Sequence, residues 1–156
     1  MKIIKDWRFW VCVVSVTALG LLSGIFAINA QEYYKVLMIP VFAPPAWLFG
    51  PVWVLLYILM GITFYLILTT KDQQQRMTMI SLFIAQFMLN FIWSGLFFTA
   101  QNNLLSVIDI SILWIILFIQ QAYYMKNKPL LMWLMGPYFL WITFASVLNY
   151  SILFLN

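Results

Sequence analysis

Histidine is absent from this sequence, and cysteine occurs only once, at Cys12. Zinc sites and Cys–His catalytic dyads depend on these residue types, and a disulfide within the chain needs two cysteines. The sequence also contains no glycine-rich phosphate-binding motif and only four acidic residues. We therefore expect no metal site, and hydrolytic enzymes of the common kinds are excluded. Cys12 lies inside an apolar run and is interpreted as a small packing residue.

Charge is scarce as well, because charged residues make up 8% of the 156 positions and hydrophobic residues 65%. About a quarter of the residues of a soluble domain are charged. Since about 20 apolar residues cross a bilayer as a helix, we predict an all-α membrane protein with a bundle of five transmembrane helices. The predicted helices lie near residues 9–29, 46–70, 77–100, 104–125 and 129–155. Residues 1–156 are predicted to form one transmembrane domain with no soluble domain.

The basic residues are distributed unevenly between the two ends of these predicted helices. On one side lie Lys2, Lys5, Arg8, Lys71, Arg76, Lys126 and Lys128. Lys35 lies on the other side. The positive-inside rule then places the N-terminus in the cytoplasm and the C-terminus outside. The formal net charge of +4 follows from this topology, and since no basic stripe tracks a phosphate backbone, we expect no nucleic-acid partner.

Residues 1–30 also admit an alternative, a cleaved signal peptide, because small residues follow the apolar run in "FAINAQ". The apolar run is longer than a usual signal-peptide core. It also contains Gly20 and Gly24 in a GxxxG pattern, which is typical of close helix packing in lipid. The pattern therefore favours a membrane helix.

One acid, Asp109, falls inside the fourth predicted helix. An ionisable group within a membrane helix is costly and usually faces the bundle interior or a wet cavity. The favoured interpretation is a protonated or hydrogen-bonded acid that ties this helix to its neighbours. The alternative is a ligand contact or a proton relay.

Aromatic residues make up 19% of the chain and include eight tryptophans. Four of these lie near helix ends and fit an interfacial belt, namely Trp7, Trp10, Trp47 and Trp133. At about 1.5 Å of rise per residue, Trp53, Trp93 and Trp141 share the outer half of a membrane core of ~30 Å. The direction in which Trp114 faces is left open.

Helical spacing places these three deep tryptophans on mixed faces. One face carries Gln86, Asn90, Trp93 and Phe97, another carries Pro137, Trp141, Ala145 and Asn149, and a third carries Trp53, Tyr57 and Gly61. Two interpretations stay open. Either the amides join helices, at about 0.6 kcal/mol per hydrogen bond, and the aromatics form core, or Ala145 and Gly61 leave space for a small-molecule pocket.

Four segments of the chain carry specific motifs. They are "APPAW-FGPVW-LLY-MG" (43–61), "LN-IWS-LFF" (89–98), "NLLSVIDI" (103–110) and "PYFLWITFASVLNY" (137–150). In combination they resemble the TspO/translocator protein family, also called tryptophan-rich sensory proteins or peripheral-type benzodiazepine receptors. The resemblance covers nearly the whole chain. It implies a five-helix bundle, typically a homodimer, that binds porphyrins and synthetic benzodiazepine-like ligands.

The resemblance also implies a cavity beneath the loop between helices 1 and 2. Carried over by motif, its ligand-binding residues are Phe42, Trp53, Tyr57, Asn90, Trp93, Trp141 and Ala145. Some bacterial relatives are reported to degrade protoporphyrin in light, which implies catalytic roles for Trp53 and Trp141 as oxidisable groups. The resemblance implies protoporphyrin IX or a related tetrapyrrole as ligand rather than a cofactor, membrane lipid as a further partner, and a bacterial cell membrane as the location.

The chain departs from the family pattern at two places. The family loop commonly reads Lys-Pro-Ser-Trp before its proline pair, whereas this chain reads "IPVF" (39–42), so Phe42 replaces an indole. No basic residue follows Tyr150, and cholesterol binding is therefore not inferred. The prolines of the loop, Pro40, Pro44, Pro45 and Pro51, are predicted to form a stiff lid over the cavity.

The sequence supports three functional hypotheses. The first is a tetrapyrrole-binding membrane protein with a sensory, transport or scavenging role. Light-dependent degradation of the bound porphyrin would be an additional activity of the same protein. The second is a secondary transporter or exporter of an amphipathic small molecule, in which no second membrane charge pairs obviously with Asp109. The third is a membrane-structural partner without a ligand.

Overall fold

The computed structural model describes residues 3–27 and 30–156. Throughout these ranges every regular element is helical. Five helical segments are long and apolar enough to cross a membrane: Trp7–Ala27, Ala46–Leu68, Gln73–Thr99, Asn103–Asn127 and Pro129–Leu155. The predicted all-α bundle of five membrane-spanning helices is confirmed. The orientation of its two ends in the membrane stays a prediction.

Six α-helices build the described part of the chain. They are α1 (Trp7–Leu22), α2 (Ala30–Val36), α3 (Phe49–Leu68), α4 (Gln73–Ser94), α5 (Asn103–Asn127) and α6 (Pro129–Leu155). A 3₁₀ segment, Ser23–Ala27, continues α1, another, Ala46–Leu48, leads into α3, and a π-turn, Gly95–Thr99, ends the α4 span. The short helix α2 lies in the connection between the first two spans, where the sequence predicted only a loop.

Side-chain caps start three of the spanning helices. The carboxylates of Asp6 and Asp72 accept backbone N–H bonds of 3.0 and 2.8 Å at the starts of α1 and α4, and Asn102 does the same for α5 at 3.0 Å. Each such cap satisfies a backbone donor that has no partner within its helix. Two of the four acids therefore have a structural role.

Contacts between helix ends identify two ends of the bundle. Lys71, Asp72, Asn127 and Lys128 line one hollow, which brings the α3–α4 and α5–α6 connections together. The hydroxyl of Tyr65 near the end of α3 donates to Asp6 Oδ2 at 3.0 Å, which adds the start of α1. We call this the inner end. The described basic residues that the sequence grouped on one side lie here, while Lys2 lies outside the described residues.

The opposite end, which we call the outer end, carries α2. The backbone N–H and carbonyl of Met38 bond to the side-chain amide of Asn156 at 2.9 and 3.0 Å, so the chain after α2 meets the end of α6. The hydroxyl of Tyr33 in α2 donates to Asn103 Oδ1 at 3.0 Å, at the start of α5. Helix α2 is therefore fixed across the outer end of the bundle.

Towards the inner end the helices pack closely. A Cβ added at Gly61 of α3 would lie 2.6 Å from the Cα of Val13 in α1, so only glycine fits this helix crossing. The fully buried core behind it is formed by Met60, Ile67, Met79, Leu113, Leu117 and Met135. The interpretation that Gly61 leaves space for a ligand is therefore wrong, because the backbone of α1 fills that space. Close approach of this kind is how helices associate in lipid.

Candidate functional site

A cavity of about 310 Å³ lies in the outer half of the bundle. Its walls come from the end of α1, from α2, from the first half of α3, from the end of α4 and from the second half of α6. Pockets for small molecules occupy roughly 300–1000 Å³. The cavity therefore has the size and position of a small-molecule site, at the low end of that range.

Six of the seven predicted ligand-binding residues line this cavity: Trp53, Tyr57, Asn90, Trp93, Trp141 and Ala145. They come from three different helices, and the sequence grouped them by depth and helical face. The tertiary structure brings these faces together around one space. Whether the six residues bind a ligand stays a prediction.

The seventh predicted residue, Phe42, lies outside the cavity lining. Its side chain is 50% exposed, and its ring centroid lies 6.4 Å from that of Phe144. The wall beneath the loop is formed instead by Tyr34 of α2, whose ring packs against Phe49 at 6.1 Å. The 39–42 segment contributes no residue to the cavity lining, whereas α2 contributes Ala30 and Tyr34, so the position that the resemblance implied for this segment is wrong.

The two tryptophans with predicted chemical roles form one aromatic corner of the cavity. The ring centroids of Trp53 and Trp141 are 6.5 Å apart, and their planes are nearly perpendicular at 88°. Trp53 also stacks on Tyr57 at 5.4 Å and 25°. The indole N–H of Trp141 is buried and has no hydrogen-bond partner. The corner is thus built of aromatic rings, and the Trp141 donor within it is itself buried.

A polar floor lies below this corner. The hydroxyl of Tyr57 donates to Asn90 Oδ1 at 3.0 Å and lies 3.2 Å from the Ser23 hydroxyl. Tyr57 is 3% exposed and Asn90 4% exposed, so burial in the membrane makes these bonds costly to leave unmade. These contacts join the 3₁₀ continuation of α1 to α3 and α4 beneath the cavity.

Trp93 is held by a second set of hydrogen bonds. Its indole N–H donates to Asn149 Oδ1 at 2.8 Å, and the Asn149 amide donates to Ser106 Oγ at 3.1 Å. Its ring stacks on Phe97 at 5.1 Å and 9°. Asn149 thus joins helices as one of the two open interpretations predicted, whereas neither polar side-chain atom of Gln86 has a hydrogen-bond partner. The Trp93 ring lines the cavity, and small-molecule binding there, the other interpretation, stays a prediction.

The sequence did not assign five lining residues of α1 and its continuation to the cavity, Gly20, Leu21, Ser23, Gly24 and Ala27. A Cβ at Gly20 would overlap the ring of Tyr57, whereas a Cβ at Gly24 would meet no atom within 4 Å. The GxxxG pattern was the available signal for this segment. Its first glycine packs against α3, and its second borders open space.

The contribution of α2 was also missed, since no α2 was predicted. The hydroxyl of Tyr34 donates to the Pro44 carbonyl at 3.4 Å, so the proline loop is tied to α2. Burial raises the pKa of Tyr34 above its usual value, and the hydroxyl is therefore protonated at neutral pH. Pro45 holds φ at −63° ahead of the short 3₁₀ segment. The proline loop thus helps to hold Tyr34 in place, and Tyr34 lines the cavity.

Asp109 is buried on α5 and lies outside the cavity lining. Its side chain is 6% exposed, and its Oδ2 has no hydrogen-bond partner. The predicted hydrogen-bonded tie is therefore absent at that oxygen. Trp114, whose direction was left open, donates its indole N–H to Thr143 Oγ1 at 2.9 Å and joins α5 to α6. It too lies outside the cavity lining.

Five apolar spanning helices, four of which border an aromatic cavity, define a multi-pass integral membrane protein with a candidate small-molecule site. The sequence matches the model of the TspO/MBR family over residues 11–155. The chain therefore belongs to the TspO/MBR family. The matched region includes most of α1, and α1 packs against α3 through Gly20. Both findings favour a membrane helix over a signal peptide.

Individual relatives agree with this assignment. The tryptophan-rich protein TspO of Archaeoglobus fulgidus is 40% identical over 149 residues, which cover 92% of this chain and 94% of that protein. The tryptophan-rich protein TspO of Chlorobaculum tepidum is 38% identical over 148 residues, 93% of each chain. The human translocator protein is 27% identical over 150 residues, 92% of this chain and 89% of that protein.

Proposed function

We propose that this protein binds a tetrapyrrole, such as protoporphyrin IX, in the outer cavity and acts in its sensing, transport or scavenging. The observation that carries the proposal is the corner formed by Trp53 and Trp141. A porphyrin is a flat, largely apolar disc with two carboxylate arms. The two indole rings have centroids 6.5 Å apart and nearly perpendicular planes. One ring can therefore stack face to face with such a disc while the other meets it at an edge.

The polar groups of the cavity support the same ligand class. The lining contains polar side chains, among them Ser23, Asn90 and Asn149, in a wall that is otherwise mostly apolar and aromatic. A few placed polar groups in an apolar site orient a ligand that is mostly apolar. The tetrapyrrole ring is mostly apolar and has pyrrole nitrogens at its centre, so it matches an apolar lining with a few polar groups.

Titration of the purified protein with protoporphyrin IX tests the proposal, with tryptophan fluorescence as the readout. Saturable quenching is expected, and it should weaken several-fold in Trp53→Ala and in Trp141→Ala, since aromatic contacts contribute about 0.5–1.5 kcal/mol beyond burial. Trp133→Ala is the matched control, because Trp133 is 73% exposed at the inner end. Unchanged affinity in both cavity variants would contradict the assignment of this cavity.

We further propose that a bound porphyrin is degraded in light with the help of Trp53 and Trp141. An excited porphyrin takes an electron from an indole in contact with it, the most readily oxidised side chain of this wall. Dioxygen is the net oxidant, since it accepts the electrons and supplies the oxygen atoms of the cleaved porphyrin, and the indole is restored by electrons from the porphyrin. The perpendicular arrangement places both indoles beside the same space. Product formation that needs both light and dioxygen would support this step, and an intact porphyrin after illumination would contradict it.

The second candidate function is transport or export of an amphipathic small molecule. The observation in its favour is Asp109, a buried acid within a spanning helix that has an oxygen without a partner. Such groups mark ion-coupled pathways in transporters. Uptake of the ligand into proteoliposomes under an imposed proton gradient would support transport if it disappears in Asp109→Asn while ligand binding is retained.

A further inference from the structure

A second hollow adjoins the aromatic cavity at the outer end of the bundle. It has a volume of about 500 Å³ and is lined by Tyr34, Lys35, Leu37, Ile39, Ala46 and Trp47. Tyr34 and Ala46 line the aromatic cavity as well. Tyr34 and Ala46 therefore lie between the two spaces, and a ligand arm that passes these side chains would enter the hollow.

Charge distinguishes the outer hollow from the aromatic cavity. Of the basic residues in the described ranges, Lys35 is the only one at the outer end. It is exposed and lines the hollow. The described lining of the aromatic cavity contains no charged side chain. An anionic group on a ligand in the cavity therefore has one side chain of opposite charge within the adjoining space.

The size of the aromatic cavity gives a second reason to consider the hollow. At about 310 Å³ the cavity lies at the low end of small-molecule sites, roughly 300–1000 Å³. Carboxylate arms are poorly accommodated among Trp53, Trp141 and Phe49, because burying an unpaired carboxylate is expensive. The arms of a ligand whose ring occupies the cavity are therefore expected to extend outward.

We propose that Lys35 and the outer hollow form a carboxylate subsite, which recognises an acidic arm of the amphipathic ligand whose ring lies in the aromatic cavity. This inference rests on the proposed function, since it assumes that the cavity binds such a ring. The subsite selects a tetrapyrrole with free acid arms over the same ring with neutral arms. It engages one arm, because a single ammonium is present.

Glu32 precedes Lys35 by one helical turn on α2 and is also exposed. Residues three apart lie on the same side of a helix, so Glu32 repels the same carboxylate that Lys35 attracts. Neutralising either residue of this short helix should therefore change the affinity for an acidic ligand, in opposite directions. Lys35→Gln should weaken binding of an acidic ligand, and Glu32→Gln should strengthen it.

The test uses the full chain in nanodiscs of phosphatidylcholine, which carries no net charge, and two probes, protoporphyrin IX and its dimethyl ester. At low salt, Lys35→Gln should weaken protoporphyrin IX binding about two- to fivefold, the range of an exposed charge pair. Glu32→Gln should strengthen it about twofold. Both variants should bind the dimethyl ester as the unmodified protein does.

Salt and a distant lysine supply the controls. The effect of Lys35→Gln should fade in 1 M salt, where the screening length falls to about 3 Å from about 10 Å at 0.1 M. Lys126→Gln removes an exposed charge at the inner end and should leave both affinities unchanged. Thermal melting of each variant checks that folding is intact.

Each result decides the matter. Equal protoporphyrin IX affinity in Lys35→Gln and the unmodified protein would overturn the subsite while leaving the aromatic cavity as a binding site. Equal loss for acid and ester, or an equal loss in Lys126→Gln, would also overturn it, since charge recognition by Lys35 predicts neither. Failure of the unmodified protein to bind either probe would instead overturn the proposed function, and the subsite with it.

Discussion

Three glycines show how the inner and outer halves of this bundle differ. Gly61, towards the inner end, has no room for a side chain, because the backbone of Val13 lies against it. Gly24 and Gly50 lie further out and border the cavity, and a Cβ at either would meet no atom within 4 Å. The same residue type closes one half and leaves space in the other.

The difference follows from how helices associate in lipid. Since lipid tails are as apolar as the side chains, close packing and hydrogen bonds hold the helices together. The inner half supplies that packing through the α1–α3 crossing and a core with residues such as Met60 and Met79 at 0% exposure. Close packing therefore holds the helices together in the inner half, while the outer half contains the cavity.

The largest expected effect concerns which half faces the cytoplasm. The basic residues of the described inner end predict that this end is cytoplasmic. Asn156 bonds to Met38 at the outer end. Alkaline phosphatase fused after Asn156 should therefore be active, and a fluorescent protein fused there should be dark. Paired alkaline phosphatase and fluorescent-protein fusions measure this. Cytoplasmic activity would reverse the assignment of the two halves.

The next effect separates chemistry from binding within the outer half. Trp53→Phe and Trp141→Phe keep a flat ring in the corner, so porphyrin affinity should stay within about tenfold, or 1.4 kcal/mol. Light-driven degradation should be lost, because phenyl rings are much harder to oxidise than indoles. Porphyrin absorbance during illumination measures the loss, with Trp133→Phe at the inner end as control. Full degradation by both cavity variants would leave only a binding site.

A substitution in the inner half should lower stability instead. Gly61→Ala places a Cβ against the Val13 backbone and should cost about 1–3 kcal/mol, as overpacking does. Porphyrin affinity of the folded protein should not change, since Gly61 lies outside the cavity lining. Thermal unfolding in detergent measures the first and fluorescence titration the second.

Gly136→Ala is the control for that substitution, because a Cβ at Gly136 meets no atom within 4 Å. It should leave stability unchanged or raise it by up to about 1 kcal/mol, the helix preference of alanine over glycine. Equal destabilisation by both substitutions would show that the α1–α3 crossing is not the special contact that the structure indicates.

The smallest expected effect concerns the lipid-facing surface of α4. We propose that a homodimer forms through this surface, where Ser81 is exposed and Ala85 half-buried beside exposed Ile84 and Met88. Small residues let two helices approach. Ala85→Leu should therefore weaken dimers several-fold in mild detergent, as measured by light scattering.

Dimers that are unaffected by Ala85→Leu would move the interface to another surface. Gly20 is not available for it, since Tyr57 of the same chain occupies the space next to this glycine. Gly24, which is exposed, stays available as the alternative on α1.

Much of the fold was readable from the sequence. The five spans were predicted from uncharged apolar runs, since a backbone that crosses lipid must satisfy its hydrogen bonds within a helix. Depth along the helices grouped Trp53, Trp93 and Trp141, and these residues do meet at one cavity. These inferences succeeded because they depend on local helix geometry and on the thickness of the membrane.

Other features were decided only by the tertiary structure. Helix α2 has seven residues, too few to be stable alone. It is held by Tyr33, which bonds to Asn103 at 3.0 Å and packs against Phe97 at 5.6 Å. These partners lie far along the chain. The position of α2 then decided that Tyr34, and not Phe42, forms the cavity wall.

The sequence by itself therefore determined the class of protein, the number of spans and the face on which most cavity residues lie, because hydropathy and helical period act locally. The tertiary structure decided which glycines are filled and which border open space, as the contrast between Gly61 and Gly24 shows. Such an outcome depends on the neighbour that each glycine meets. That neighbour belongs to another helix, and no local pattern in the sequence specifies it.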